Sequence, residues 1–398
     1  MTKQDIRRTV VMYKLYVLFN EPLFWGPVLI VSLQKIAHMS LPDIFFMEAV
    51  VIMICVVLDI PSGALADVIG KKKLLIMGRI LLLASICGFA AMTSPLMAWI
   101  SDILWAIGYS FQSGADVALM YTSLKNGNFH GLFKKIEGRA TGARFFLVAI
   151  CSLAVSVLVL IHPRLPIILS VIPSVIPLVV AFRFQEPTRV GLYSISKQLH
   201  VIGSSIASVI KNTRIRWIVG FSAGIAGVSK IWFFTYNPYF ERVGIDISYY
   251  GFIFFLLNVV AWSSSYNAHR IIRTVHEHNM AIYMVGCIAI PILLMGLFPI
   301  WPFAYLVLFQ NLIRGIIKPY IGDFINRHIL SEETRATILS IQSSVSNAVS
   351  IGALACFGLL TSVLDLLSSL VMLGIAAIAV GSMGVWCYRN IFLCKNPQ

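Results

Sequence analysis

The sequence is short of charge. Asp, Glu, Lys and Arg make up 12% of its 398 residues, where a soluble domain carries about 25%. So few charges cannot cover a surface facing water, and a soluble globular fold is excluded. The motifs of enzyme chemistry are lacking too. There is no H-E-x-x-H helix and no pairing of nucleophile with base. The nearest approach to a phosphate-binding loop is GALADVIGKKK, Gly63 to Lys73. There Leu65 stands where G-x-x-x-x-G-K-[ST] needs its first glycine, and Lys72 where it needs a hydroxyl. No C-x-x-C pair occurs among the 7 cysteines, which read chiefly as small buried hydrophobes. The cluster HEHN, His276–Asn279, has no second group of ligands beside it. The sequence therefore predicts no enzyme, no metal site and no cofactor.

What is abundant is apolar side chain, 58% of the chain. A membrane-spanning helix needs roughly 20 mostly apolar residues. Twelve segments meet that need, at about 10–33, 43–66, 74–94, 96–121, 140–162, 165–184, 215–237, 247–268, 279–299, 301–320, 336–360 and 363–388. The opening MTKQDIRRTVVMYKLYVLF is basic and then apolar, but has no small-residue cleavage site, so it reads as a retained first span.

The net charge of +14 is informative through its placement. With the N-terminus in the cytoplasm, the even-numbered gaps and both ends collect most of the basic residues. The opposite side holds only Lys35, Arg164 and Arg242. The positive-inside rule then sets orientation and parity together, with both termini cytoplasmic. The basic balance thus speaks for topology, and nucleic acid is not expected as a partner.

The longest connection, 185–214, mixes basic and apolar residues and suits the inner membrane surface. It divides the chain into six spans over 1–184 and six over 215–398. The halves echo one another. The triplet RAT opens the fifth span at Arg139–Thr141 and the eleventh at Arg335–Thr337, and FWGP (Phe24–Pro27) has a rough counterpart in TYNP (Thr235–Pro238). These matches favour a duplicated six-helix unit.

Ionisable residues inside spans are costly and normally face a cavity or a partner. Glu21 sits near mid-depth of the first span beside Pro22, which removes a backbone hydrogen bond and bends the helix. It either titrates and contacts substrate or pairs with a basic neighbour. Lys230 lies in SKIWFFTYNPYF, crowded by Trp232, Phe233 and Tyr236. These aromatics form either a stacking wall around a cation or an interface belt from which the lysine reaches outward. Arg314 is too deep in the tenth span for such reach, and Gln310 shares its face at i, i+4. Asp59, Arg79, Asp116 and Arg144 read as structural charges, Asp59 with Arg79 and Asp116 with Arg144 or Arg139. Glu48 lies nearer an outer end, where it gates or reaches water.

Two six-helix halves, a basic linker and a G-x-x-x-D-x-x-G-[RK]-[RK] loop after the second span resemble the major facilitator superfamily. The matching residues are Gly63, Asp67, Gly70, Lys71 and Lys72. DIPSGALAD (Asp59–Asp67) is similar to the E-x-P-T-G-x-x-A-D of bacterial drug-efflux-like members, and NRHILSEETRATILS (Asn326–Ser340) to their loop before helix eleven. The resemblance implies an all-α membrane protein with twelve transmembrane helices in two pseudo-symmetric six-helix bundles. It implies that the loop is a conformational latch, with Asp67 facing the N-terminus of helix eleven near Ser331–Thr337, and Glu332 and Glu333 in reach of Lys71 or Lys72. It also implies a small-molecule site lined by helices 1, 4, 7 and 10, with Glu21, Lys230, Gln310, Arg314, Trp232, Phe233 and Tyr236 as candidates. In the absence of an ATP motif, coupling to protons is expected, with Glu21 as carrier. The expected partners are a solute, a proton and membrane lipid. The expected form is a monomer in a bacterial inner membrane that exports its solute. Uptake or exchange of an anionic metabolite or siderophore is the alternative, and a transport-inactive receptor on the same fold the third reading.

Overall fold

A computed structural model describes residues 3–113, 115–126, 132–186, 209–328 and 332–392 of the chain. Within them, the side chains of residues 3–6, 60, 64, 67, 125–126, 134, 332–336 and 392 lie outside the description. Among the described residues the regular structure is helical throughout. The helices are α1 (Lys3–Leu18), α2 (Leu29–Lys35), α3 (Leu41–Ile69), α4 (Lys71–Ala91), α5 (Pro95–Gln112), α6 (Ala115–Asn126), α7 (Phe133–Ile161) and α8 (Leu165–Arg183). After the linker come α9 (Thr213–Arg242), α10 (Tyr250–Thr274), α11 (Glu277–Leu297), α12 (Val307–His328), α13 (Glu332–Val363) and α14 (Leu366–Phe392). The α1–α2 pair and the α5–α6 pair are each one broken crossing, so the helices make twelve crossings.

Helix ends follow local chemistry. Ser94 accepts a hydrogen bond from the Met97 amide with Pro95 in the first turn, the usual start of a helix. Asn212 caps α9 by accepting from the amides of Arg214 and Ile215. Where helices meet closely, glycine makes the approach possible. A methyl group on Gly78 of α4 would lie 2.8 Å from the Gly108 carbonyl oxygen of α5, and one on Gly108 would lie 2.8 Å from that of Gly78.

The chain forms two compact units. One comprises Met1–Ser40, Val50–Tyr193 and Ile247–Asn258, and the other Leu41–Ala49, Ser194–Asp246 and Val259–Gln398. The start of α3 therefore belongs with the second unit. There Phe45 meets the Phe357 ring edge-on at 5.0 Å, and a side chain on Gly358 would press on Phe45 and the Pro42 carbonyl.

Nine helices are long and apolar enough to cross a membrane among the described residues. The crossings that fall short are the first (α1 and α2), the fourth (α5 and α6) and the tenth (α12). The first is open from residue 19 to 28, a wider interruption than a proline bend. Pro22 and Pro27 supply no amide hydrogen there, so the backbone ladder has no donor at either position.

Candidate functional site

In the first unit, polar side chains from four crossings converge on the break between α1 and α2. The Asn20 carbonyl, freed by the break, accepts from Arg79 Nη1 at 3.3 Å, and its Oδ1 accepts from Gln112 Nε2 at 2.7 Å. Arg79 is 3% exposed, and its Nε donates to the Tyr16 hydroxyl at 2.9 Å. Asp116 supplies the compensating negative field. At the other side of the break the Phe24 amide donates to Ser170 Oγ at 3.1 Å, and Trp25 packs against Trp105 and Phe89. An open helix segment at membrane depth persists only where such partners satisfy its backbone.

Glu21 lies within this break. Its carboxylate accepts from Arg144 Nη1 of α7 at 2.7 Å, and the glutamate side chain is 46% exposed against 17% for the arginine. The pair thus has one member mostly covered by the protein and one that the protein leaves half open. Nearby, the Tyr13 hydroxyl donates to Glu137 at 2.5 Å, joining α1 to α7 a second time.

These contacts correct two pairings read from the sequence. Arg79 turns to Tyr16 and Asn20, while Asp59 stays exposed on α3. Arg144 takes Glu21, and Asp116 lies instead in the field of Arg79 and accepts from the Val117 amide. The break opens a carbonyl oxygen and places the Glu21 carboxylate in reach, and the two guanidinium groups take these acceptors.

The loop after α3 is held by a residue from beyond α8 that sequence reasoning missed. Gly70 has φ of 103°, a conformation that favours glycine. This turn presents the amides of Lys71 and Lys72 to the carboxylate of Glu186, at 2.8 and 2.9 Å. Glu186 therefore caps α4, where the helix dipole favours negative charge. Lys71 Nζ donates to Thr122 Oγ1 at 3.4 Å, and Gly63 has open space around it. The only sequence signal for Glu186 was a carboxylate straight after the sixth apolar run. The side chains of Asp67, Glu332 and Glu333 lie outside the described residues, as does most of the linker.

In the second unit the polar candidates tie α9 to α12. Gln310 is buried and donates to the Ser229 carbonyl at 2.6 Å. Asn311 donates to the Tyr236 hydroxyl at 3.2 Å, and Arg314, exposed on α12, adds its positive field at that hydroxyl. Trp232 and Tyr236 are buried, at 0% and 1% exposure, and Phe233 is half-buried. Of the three aromatics named as wall residues, Phe233 is the one that reaches the surface of its unit. Lys230 is half-buried with Nζ 5.5 Å from the Phe234 ring centre. Glu48, buried on the part of α3 that belongs to this unit, is close enough to feel the charge of the lysine.

The architecture has well-matched counterparts among solved structures. A nucleoside transporter, NupG, superposes with a TM-score of 0.78 at 12% identity, over 96% of this chain and 99% of that one. The chain has the major facilitator fold. A D-xylose-proton symporter superposes with a TM-score of 0.72 at 13% identity, over 97% of this chain and 96% of that one. A POT family transporter in complex with a thioalcohol-conjugated peptide gives 0.73 at 14%, over 97% of each chain. No family model and no curated protein matches the sequence.

Proposed function

We propose that this chain is a secondary transporter that moves a small organic solute by alternating access, coupled to protons and working in export. In this reading two six-helix halves, 1–184 and 215–398, are joined by the linker 185–214. The protein is a monomer in a bacterial inner membrane with both termini in the cytoplasm. The observation that carries the reading is the Glu21 carboxylate, half open in a helix break and 2.7 Å from Arg144. A proton and the guanidinium compete for the same carboxylate. Binding one releases the other, so protonation changes what holds α7 to the first crossing. The nucleoside transporter and the proton-coupled xylose symporter of the same fold support transport as the class. Export rests on the DIPSGALAD resemblance.

The test works with the solute still unidentified. Proteoliposomes loaded with a pH-sensitive dye are exposed in turn to a panel of lipophilic cations, nucleosides, sugars and organic acids. A solute of this protein should move protons across the membrane, and Glu21→Gln should abolish that movement while leaving solute-for-solute exchange in place. Unchanged proton flux in Glu21→Gln would rule Glu21 out as the carrier. A second reading, uptake or exchange of an anionic solute, is favoured by exposed Arg314 with Lys230 and Gln310 in the second unit. It predicts that organic acids are the active members of the panel. Binding without flux for every member would point to a receptor.

A further inference from the structure

The second unit contains a cleft of about 370 Å³ between α9, α11 and α14, away from the polar cluster of Gln310 and Arg314. Its walls are carbon, from Phe221 and Ile225 of α9, Val285 and Ile288 of α11, and Val380 and Met383 of α14. The floor is fixed. Trp217 stacks on Phe221 with centroids 5.1 Å apart, and its Nε1 donates to the Gly384 carbonyl at 2.8 Å. Gly220 leaves its part of the wall bare, and a methyl group placed there would meet nothing within 4 Å.

Two features say what fits there. The outer face of α14 beside the cleft carries Val380, Met383 and Trp386, each more than 60% exposed. On a spanning helix such a face meets hydrocarbon, so the cleft opens to the acyl region of a bilayer. One end is different. Arg216 lines it in the first turn of α9, exposed, with Nη1 held by the Ile210 carbonyl at 3.1 Å. Lys211, Arg214 and Arg389 are exposed at the same ends of α9 and α14. A water-borne solute would need several placed polar groups to be oriented, and the walls offer almost none. An apolar slot ending in cations matches an amphiphile with an apolar tail and a negative head.

We propose that the cleft holds one acyl chain of an anionic phospholipid from the surrounding bilayer, with its phosphate met by Arg216. The Gly220 gap admits the chain, and the fixed guanidinium selects the headgroup. The site rests on the fold and its membrane setting, and not on the transport reading, so either stands if the other fails.

The test uses the full-length protein in detergent with phosphatidylglycerol that carries a photoactivatable group on its acyl chain. After illumination, adducts are mapped by peptide mass spectrometry. Adducts should concentrate on 213–225 and 377–391. Unlabelled phosphatidylglycerol should compete better than phosphatidylcholine by about fivefold, the worth of one arginine near an anionic headgroup. Arg216→Gln should keep the labelling and erase that preference. Gly220→Leu should remove the labelling, and Val380→Trp does the same from the opposite wall if the first variant does not fold. Adducts spread evenly over all lipid-facing helices, or a pattern unmoved by both cleft-filling variants, would overturn the site. So would equal competition by the two lipids in the unmutated protein.

Discussion

The two units hold their buried charges in different ways. In the first, guanidinium groups go to a broken helix. Arg79 is fixed by Tyr16 and Asn20, and Arg144 by Glu21. In the second, α9 and α12 are unbroken, and the polar ties run from side chain to backbone or hydroxyl, as from Gln310 to Ser229 and from Asn311 to Tyr236. The first unit therefore sets charged groups against an opened backbone, whereas these ties of the second join unbroken helices through neutral amides.

The largest expected effect lies at Arg79, because it is the most deeply buried charge of the first cluster. Arg79→Ala strips the Tyr16 hydroxyl and the Asn20 carbonyl of their donor and leaves Asp116 uncompensated. Removing one partner of a buried charged network costs about 3–5 kcal/mol. Thermal unfolding of the detergent-solubilised protein should show this as a large drop in midpoint. Adding Asp116→Asn should recover part of it. A midpoint as high as that of the unmutated protein would mean that the break does not depend on Arg79.

The second unit offers a matched probe. Glu48 is buried and Lys230 half-buried in its interior, close enough for one charge to act on the other. Glu48→Gln and Lys230→Met should each destabilise, and the double variant should cost less than their sum. Coupled neighbours typically show about 0.5–3 kcal/mol of interaction. Strict additivity would show that the two charges act separately.

The sequence revealed the crossings well and their interiors poorly. Apolar length and the placement of basic residues together located twelve spans, nine of which are apolar enough to cross a membrane on that ground alone among the described residues. The sequence also marked Pro22 as a perturbation. The width of the break was not legible, since it depends on Ser170, Gln112 and Arg79 arriving from other helices to satisfy the opened backbone. Once the break exists, charge partners follow it, which is why Asp59 was the wrong partner for Arg79. The crossings that fail the apolar test are the first, fourth and tenth. They carry Glu21, Gln112, Gln310 and Arg314, and the resemblance places them among the helices that line a site.

A smaller effect is expected at the loop that caps α4. Glu186→Ala removes the acceptor of the Lys71 and Lys72 amides, a loss of about 1 kcal/mol for a helix cap. Gly70→Ala places a methyl group 3.1 Å from the same carboxylate, at a φ that alanine disfavours. Both variants should lower the thermal midpoint slightly, and Glu186→Gln should restore most of it by keeping an acceptor oxygen. If Glu186→Ala also changes transport, the cap belongs to the moving latch. If stability alone changes, it is a fixed hinge post.

The smallest effect separates a cap from a switch by pH. Asp365 precedes α14 and accepts from the Ser368 amide at 3.2 Å. Hydrogen bonds from Ser368, its hydroxyl first, hold the Asp365 carboxyl below the usual carboxylate range. A carboxylate depressed on folding stabilises the protein fully above its unfolded pKa. That contribution fades as pH falls through the folded value. The exposed position makes the effect slight, and it should appear only in acid. Asp365→Asn keeps a capping side chain but has no proton to take up, so its stability should lack that acid-side decline. Near neutral pH the two proteins should unfold together.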